Sequence, residues 1–156
     1  MKNGWKLFIS LLIPQVVGGT AGLFTITEVG SWYQGINRPT WNPPGWLFGP
    51  VWTTLYVLMG IALYLVWKGQ ERSAQKTRAI WLWGMQMLAN FCWSFIFFNQ
   101  HRIGLAFAEI VLLWLLILLT IFAFARISKT AAWLLVPYIS WVTFAGILNY
   151  TIWVMN

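Results

Sequence analysis

The chain has 156 residues, 60% of them hydrophobic, 19% aromatic and only 8% charged. A soluble domain carries about a quarter charged residues, so this composition excludes a soluble globular protein. It points to one integral membrane domain covering residues 1–156. The formal net charge of +7 would suit a nucleic-acid ligand, but its placement along the chain argues against that partner.

Five segments are apolar over the roughly 20 residues that a bilayer crossing needs. They are Lys6–Thr27, Gly45–Trp67, Ala79–Phe98, Ile103–Ala125 and Ala131–Met155. The fold class is therefore all-α, an integral membrane bundle of five transmembrane helices. Lys2 and Lys6 precede the first apolar run as in a signal peptide, but no small-residue cleavage site leads into a polar chain, so the run is read as a helix. It holds Pro14, Gly18, Gly19 and Gly22. Gly18 and Gly22 form a GxxxG pair, which is either ordinary glycine use or a place where another helix comes close.

The connector EVGSWYQGINRPTWNPP, Glu28 to Pro44, is long beside the others. Loops beyond about 12–15 residues in compact domains are usually functional or disordered. Trp32, Tyr33 and Trp41 anchor this one at an interface, and Pro39, Pro43 and Pro44 stiffen it. It reads as a structured lid, the alternative being an aromatic belt with a structural turn. Pro43 and Pro44 suit a helix start, and Gly45 opens the second helix. There Phe48, Trp52, Tyr56 and Met59 recur at helical spacing on one face.

In the third helix Trp83, Gln86, Asn90, Trp93 or Ser94, and Phe97 share a face. Amides at mid-membrane must face protein, cavity or ligand rather than lipid. The fourth helix carries Glu109, for which pairing with His101 or Arg102 is expected over a proton relay. The fifth places Tyr138, Trp141, Ala145 and Asn149 three or four apart, with Phe144 and Leu148 beside them, and Pro137 should kink its start. Together these faces describe a flat-walled, mostly apolar cavity suited to a large planar ligand. The competing reading is interhelical hydrogen bonding by Asn90 and Asn149 with aromatic packing alone.

Cys92 is the only cysteine, which excludes an internal disulfide. His101, Glu28, Glu71 and Glu109 are too scattered for a metal cluster, and no nucleotide-binding or hydrolytic motif is present. Neither metal nor cofactor is expected. With five spans, Lys2, Lys6, Lys68, Arg72, Lys76, Arg78, Arg126 and Lys129 share one side, and only Arg38 and Arg102 the other. The positive-inside rule then puts the amino terminus in the cytoplasm, in a multi-pass protein of a bacterial cell membrane, with the basic residues against anionic membrane lipid.

The stretches WYQGINRPTWNPPGWLFGPVWTTLY, NFCWSFIFF and VPYISWVTFAGILNY closely resemble the TspO/MBR translocator protein family, which includes the peripheral-type benzodiazepine receptor. The resemblance covers all five helices. It implies a five-helix membrane fold, commonly a homodimer, that binds protoporphyrin IX and related tetrapyrroles. In several members it also implies binding of cholesterol and of benzodiazepine-type drugs. Carried over residue by residue, the family's ligand-lining positions fall on Trp52, Asn90, Trp93, Trp141, Ala145 and Leu148, with the loop aromatics on Trp32, Tyr33 and Trp41. Two departures stand out. Tyr150 is followed by TIWVMN, with no basic residue to complete the sterol motif of animal members; a formal match at Leu58, Tyr64 and Lys68 is of hypothesis grade. The third helix also lacks a clean small-xxx-small repeat for dimerisation.

The leading expectation is a tetrapyrrole-binding protein acting in porphyrin transport, sensing or regulation. The alternatives are light-dependent degradation of protoporphyrin IX, with Trp52 and Trp141 as the oxidisable indoles, and a cholesterol or lipid carrier.

Overall fold

The computed structural model describes residues 2–68 and 71–156, without the side chain of Phe24. It contains helices α1 (Asn3–Val29), α2 (Trp32–Gly35), α3 (Gly45–Trp67), α4 (Ala74–Ser94), α5 (Ile103–Ala125), α6 (Lys129–Leu134) and α7 (Val136–Met155). Five stretches of the described residues are long and apolar enough to cross a membrane, α6 and α7 acting as one. The protein is a multi-pass integral membrane protein. Its outward face is apolar, with Leu23, Trp81, Leu88, Phe122 and Trp133 all more than half exposed, as lipid contact requires.

Polar side chains obey the same solvent. Thr20, Thr25, Thr54, Ser140, Thr143 and Thr151 each donate to the carbonyl four residues earlier, which hides the hydroxyl within its own helix. At their polar ends, α4 and α6 are capped by Ser73 and Ser128, whose hydroxyls accept from Lys76 N and Ala131 N at 3.0 and 3.2 Å.

Helix α1 packs on α3, α4 on α5, and α5 on α7, while α6 bridges α3 and α5. Pro14 lacks the N–H that would have bonded the Ser10 carbonyl. Gly60 of α3 fits against that carbonyl, and a Cβ there would lie 2.6 Å from it. Gly18 similarly receives the Tyr56 ring, leaving no room for a side chain. Gly22 meets nothing within 4 Å, so half of the GxxxG pair makes a close approach and half lines open space.

Three local features depart from the expected elements. The final span breaks at Leu135, because Pro137 sits in the first turn of α7 rather than inside one continuous helix. The 28–44 connector contains the short helix α2. After Ser94 the third span widens into a π-helical turn, Phe95–Asn99, with Gln100 N bonding Phe95 O at 3.0 Å. His101 follows with φ 56, the left-handed conformation that ends this segment before α5.

Candidate functional site: an aromatic cavity between α1, α3, α4 and α7

The polar residues of the bundle core form one relay. Tyr56 donates to Asn90 Oδ1 at 3.0 Å, Asn90 Nδ2 donates to Tyr138 Oη at 2.8 Å, and Tyr138 donates to Gln86 Oε1 at 2.6 Å. Asn90 and Gln86 are each at most 2% exposed, so leaving these groups unpaired would cost about 1–3 kcal/mol apiece. Gln86 Nε2 has no partner among the described residues. A second tie joins α4, α5 and α7. Trp93 Nε1 donates to Asn149 Oδ1 at 2.9 Å, and Asn149 Nδ2 to the Ile103 carbonyl at 2.9 Å.

Above this relay lies a cavity of about 470 Å³, within the roughly 300–1,000 Å³ usual for small-molecule sites. Helix α3 contributes Phe48, Trp52 and Tyr56; the third span contributes Trp93, Phe97 and Phe98; α7 contributes Trp141, Phe144, Ala145 and Leu148. The walls are flat rings in contact. Phe48 meets Trp141 edge-on at 6.3 Å, Trp141 meets Phe144 at 5.4 Å, and Trp52 lies 5.6 Å from Tyr56. Trp141 Nε1 is buried and has no hydrogen-bond partner among the described residues.

The loop closes the end nearest α2. Tyr33, 3% exposed, lines the cavity and donates to Asn42 Oδ1 at 2.6 Å. The Arg38 guanidinium lies 4.9 Å over its ring. Burial pushes the Tyr33 phenol above its ordinary range, with Arg38 and the Asn42 hydrogen bond opposing the shift. Asn37 and Asn156 clasp each other, Asn37 N donating to Asn156 Oδ1 at 3.1 Å and Asn156 Nδ2 to the Asn37 carbonyl at 2.8 Å.

Of the residues singled out from sequence, Tyr33, Phe48, Trp52, Trp93, Trp141, Phe144, Ala145 and Leu148 line the cavity. Three stand elsewhere. Asn90 is under the floor, reaching the cavity only through Tyr56. Trp41 packs edge-on against Phe144 at 5.9 Å from outside. Trp32 stacks on His101 at 4.1 Å with its plane tilted 8°. The expected partner of Glu109 is corrected: His101 Nε2 instead meets Glu28 Oε2 at 3.1 Å, and Glu109 Oε2 is buried with no hydrogen-bond partner among the described residues. The turn after the π segment carries His101 back to the end of α1.

Sequence reasoning missed the wall supplied by α1. Gln15, Gly18, Gly22, Thr25, Ile26 and Val29 line the cavity at helical spacing. Their three-and-four periodicity of small and weakly polar residues was the available signal.

A polytopic helical bundle enclosing an aromatic cavity beneath the 28–44 connector defines a multi-pass membrane protein with an internal cavity. The profile of the TspO/MBR family matches residues 10–154, and the chain belongs to that family. It is 43% identical over 144 residues to the tryptophan-rich protein TspO of Chlorobaculum tepidum, covering 90% of this chain and 89% of that one. It is 37% identical over 154 residues to the tryptophan-rich protein TspO of Archaeoglobus fulgidus, covering 99% of each. To the translocator protein of Bos taurus it is 34% identical over 146 residues, covering 93% of this chain and 86% of the relative.

Proposed function

We propose that the cavity binds tetrapyrroles, protoporphyrin IX in particular, and accepts benzodiazepine-type aromatic ligands, and that the protein acts in porphyrin transport, sensing or regulation. The observation that supports this reading is the run of contacting flat rings from α3 and α7 that walls a space of about 470 Å³. A planar macrocycle gains dispersion and stacking there, and offset or edge-on ring pairs contribute about 0.5–1.5 kcal/mol each beyond area burial. The expected orientation keeps the amino terminus in the cytoplasm, with a second copy of the chain and membrane lipid as the other partners. Tyr150 lacks a following basic residue, which weighs against sterol as the ligand.

Saturable quenching of tryptophan fluorescence by protoporphyrin IX in detergent or nanodiscs tests this reading. Quenching that rises linearly with porphyrin, as for simple partitioning, overturns it.

A second reading is light-dependent breakdown of bound protoporphyrin by dioxygen. It draws on the run of oxidisable rings in which Trp52 lies 5.6 Å from Tyr56 and 6.4 Å from Tyr138. Trp52 and Trp141 would be the indoles exchanging electrons with the excited porphyrin.

A further inference from the structure

We propose that the ligand enters the cavity sideways from the bilayer, through a window between α1 and α3; this rests on the binding reading above. The two helices touch at both ends of their crossing and part between them. Toward the basic end, Gly60 fits against Ser10 and Gly18 against the Tyr56 ring. Toward the loop end, Gly45 meets Val29, where a Cβ would lie 3.1 Å from Val29 Cγ1. In the stretch between, Gly19 and Gly22 of α1 and Gly49 of α3 find nothing within 4 Å of an added Cβ. All three line the cavity.

The outer rim shows that this wall is open. Ile26 and Trp46 line the cavity, yet they are 74% and 71% exposed. A side chain that faces a chamber and the molecular surface together marks where the two join. The loop end is shut by contrast, since Tyr33 is buried and held by Asn42 and Arg38. Gly19, Gly22 and Gly49 fall within stretches apolar enough to cross a membrane, toward their loop-side ends, so the window opens sideways at the bilayer's edge rather than through the loop. The structure therefore fits a ligand that first dissolves in the bilayer, a planar apolar molecule with its few polar groups at one edge.

Glycine is what keeps the window passable. Replacing Gly22 or Gly49 by leucine puts a branched side chain into space that is empty, without an initial clash at Cβ. The test uses the full chain in lipid nanodiscs, with stopped-flow tryptophan quenching by protoporphyrin IX delivered from preloaded vesicles. Gly22→Leu and Gly49→Leu should slow association and dissociation together, at least fivefold; both residues also line the cavity, so Kd is free to change as well. Gly4→Leu, in equally open space far from the cavity, should leave both rates unchanged.

Unchanged rates in the two window variants overturn the proposal. So does a rise in Kd carried by dissociation alone, which would mean the leucine fills the binding space. Should the leucine variants fold poorly, Gly22→Ala and Gly49→Ala must show the same paired slowing on a smaller scale. The same rates taken with pyrene, read by energy transfer from tryptophan, separate the two readings. Pyrene entry slowed by Gly22→Leu without saturable porphyrin binding sinks the porphyrin reading alone. Saturable porphyrin binding with window-independent rates for both probes sinks the window alone.

Discussion

The Tyr56 hydroxyl donates to Asn90 Oδ1 at 3.0 Å, so a single side chain belongs both to the cavity floor and to the polar core. Any disturbance of the relay is transmitted to the chamber through the tilt of that ring.

Asn90→Leu should therefore act on stability first. It strands the Tyr56 hydroxyl and removes the donor to Tyr138, at about 1–3 kcal/mol for each buried group left unsatisfied. Thermal unfolding in detergent should show a clear drop in Tm, with porphyrin affinity in the folded variant weakened only a few-fold. An unchanged Tm with affinity reduced tenfold or more would instead make Asn90 a direct ligand contact.

The double substitution of Trp52→Phe with Trp141→Phe keeps most of the ring area and discards the easily oxidised indoles. Bound protoporphyrin should bleach at least several-fold more slowly under light than in the parent, with Kd within a few-fold. Equal bleaching at matched occupancy removes these two residues from the photochemistry.

Tyr33 gives the loop a dependence on alkaline pH. Its phenol is raised by burial, so the folded loop holds the proton at pH values where the unfolded loop, near the ordinary 10.0, has lost it. The unfolded state then binds fewer protons, and loop stability falls as pH rises above about 10. Hydrogen exchange in residues 31–43 should accelerate across that range in the parent. Tyr33→Phe should flatten the dependence, while raising exchange at all pH values through loss of the 2.6 Å bond to Asn42.

Asn156→Ala removes both bonds between that side chain and the Asn37 backbone. Exchange around Asn37 should rise several-fold. Porphyrin release should stay within twofold of the parent, because the ligand leaves between α1 and α3. The same holds for Pro39→Ala combined with Pro43→Ala, which loosens the loop by about 0.4–1 kcal/mol per site through the unfolded chain. Release that quickens in step with loop exchange would make the loop the exit.

The five spans were legible because lipid imposes one rule on every helix, an apolar run of about 20 residues. Helical spacing likewise brought Trp52, Trp93, Trp141 and Leu148 to one chamber. Periodicity put Asn90 inward but left its partner open, since a polar residue on an inward face meets either a ligand or another polar residue, and spacing alone is the same for both. It failed for Glu109 and His101 because the pairing of His101 with Glu28 depends on how a turn folds back, across 73 positions of sequence. The wall from α1 went unread because glycine registers as helix packing rather than as vacancy. Gly18 and Gly22 turn out to do one of each.

The π turn at Phe95–Asn99 sets the phase of the third span. On a regular helix, neighbouring residues diverge by about 100°; a turn closed by an i→i+5 bond narrows that angle and helps two adjacent phenylalanines face one chamber. With the wider turn, Phe97 and Phe98 are both buried and both line it. The extra residue acts as a spacer that re-clocks everything after it, including the left-handed His101 on which Trp32 stacks. Removing one residue from this turn would leave composition and hydropathy almost unchanged, yet it would rotate one phenylalanine out to lipid and uncouple the loop from the bundle. A mutational scan by deletion, rather than by substitution, is the kind that would expose this turn.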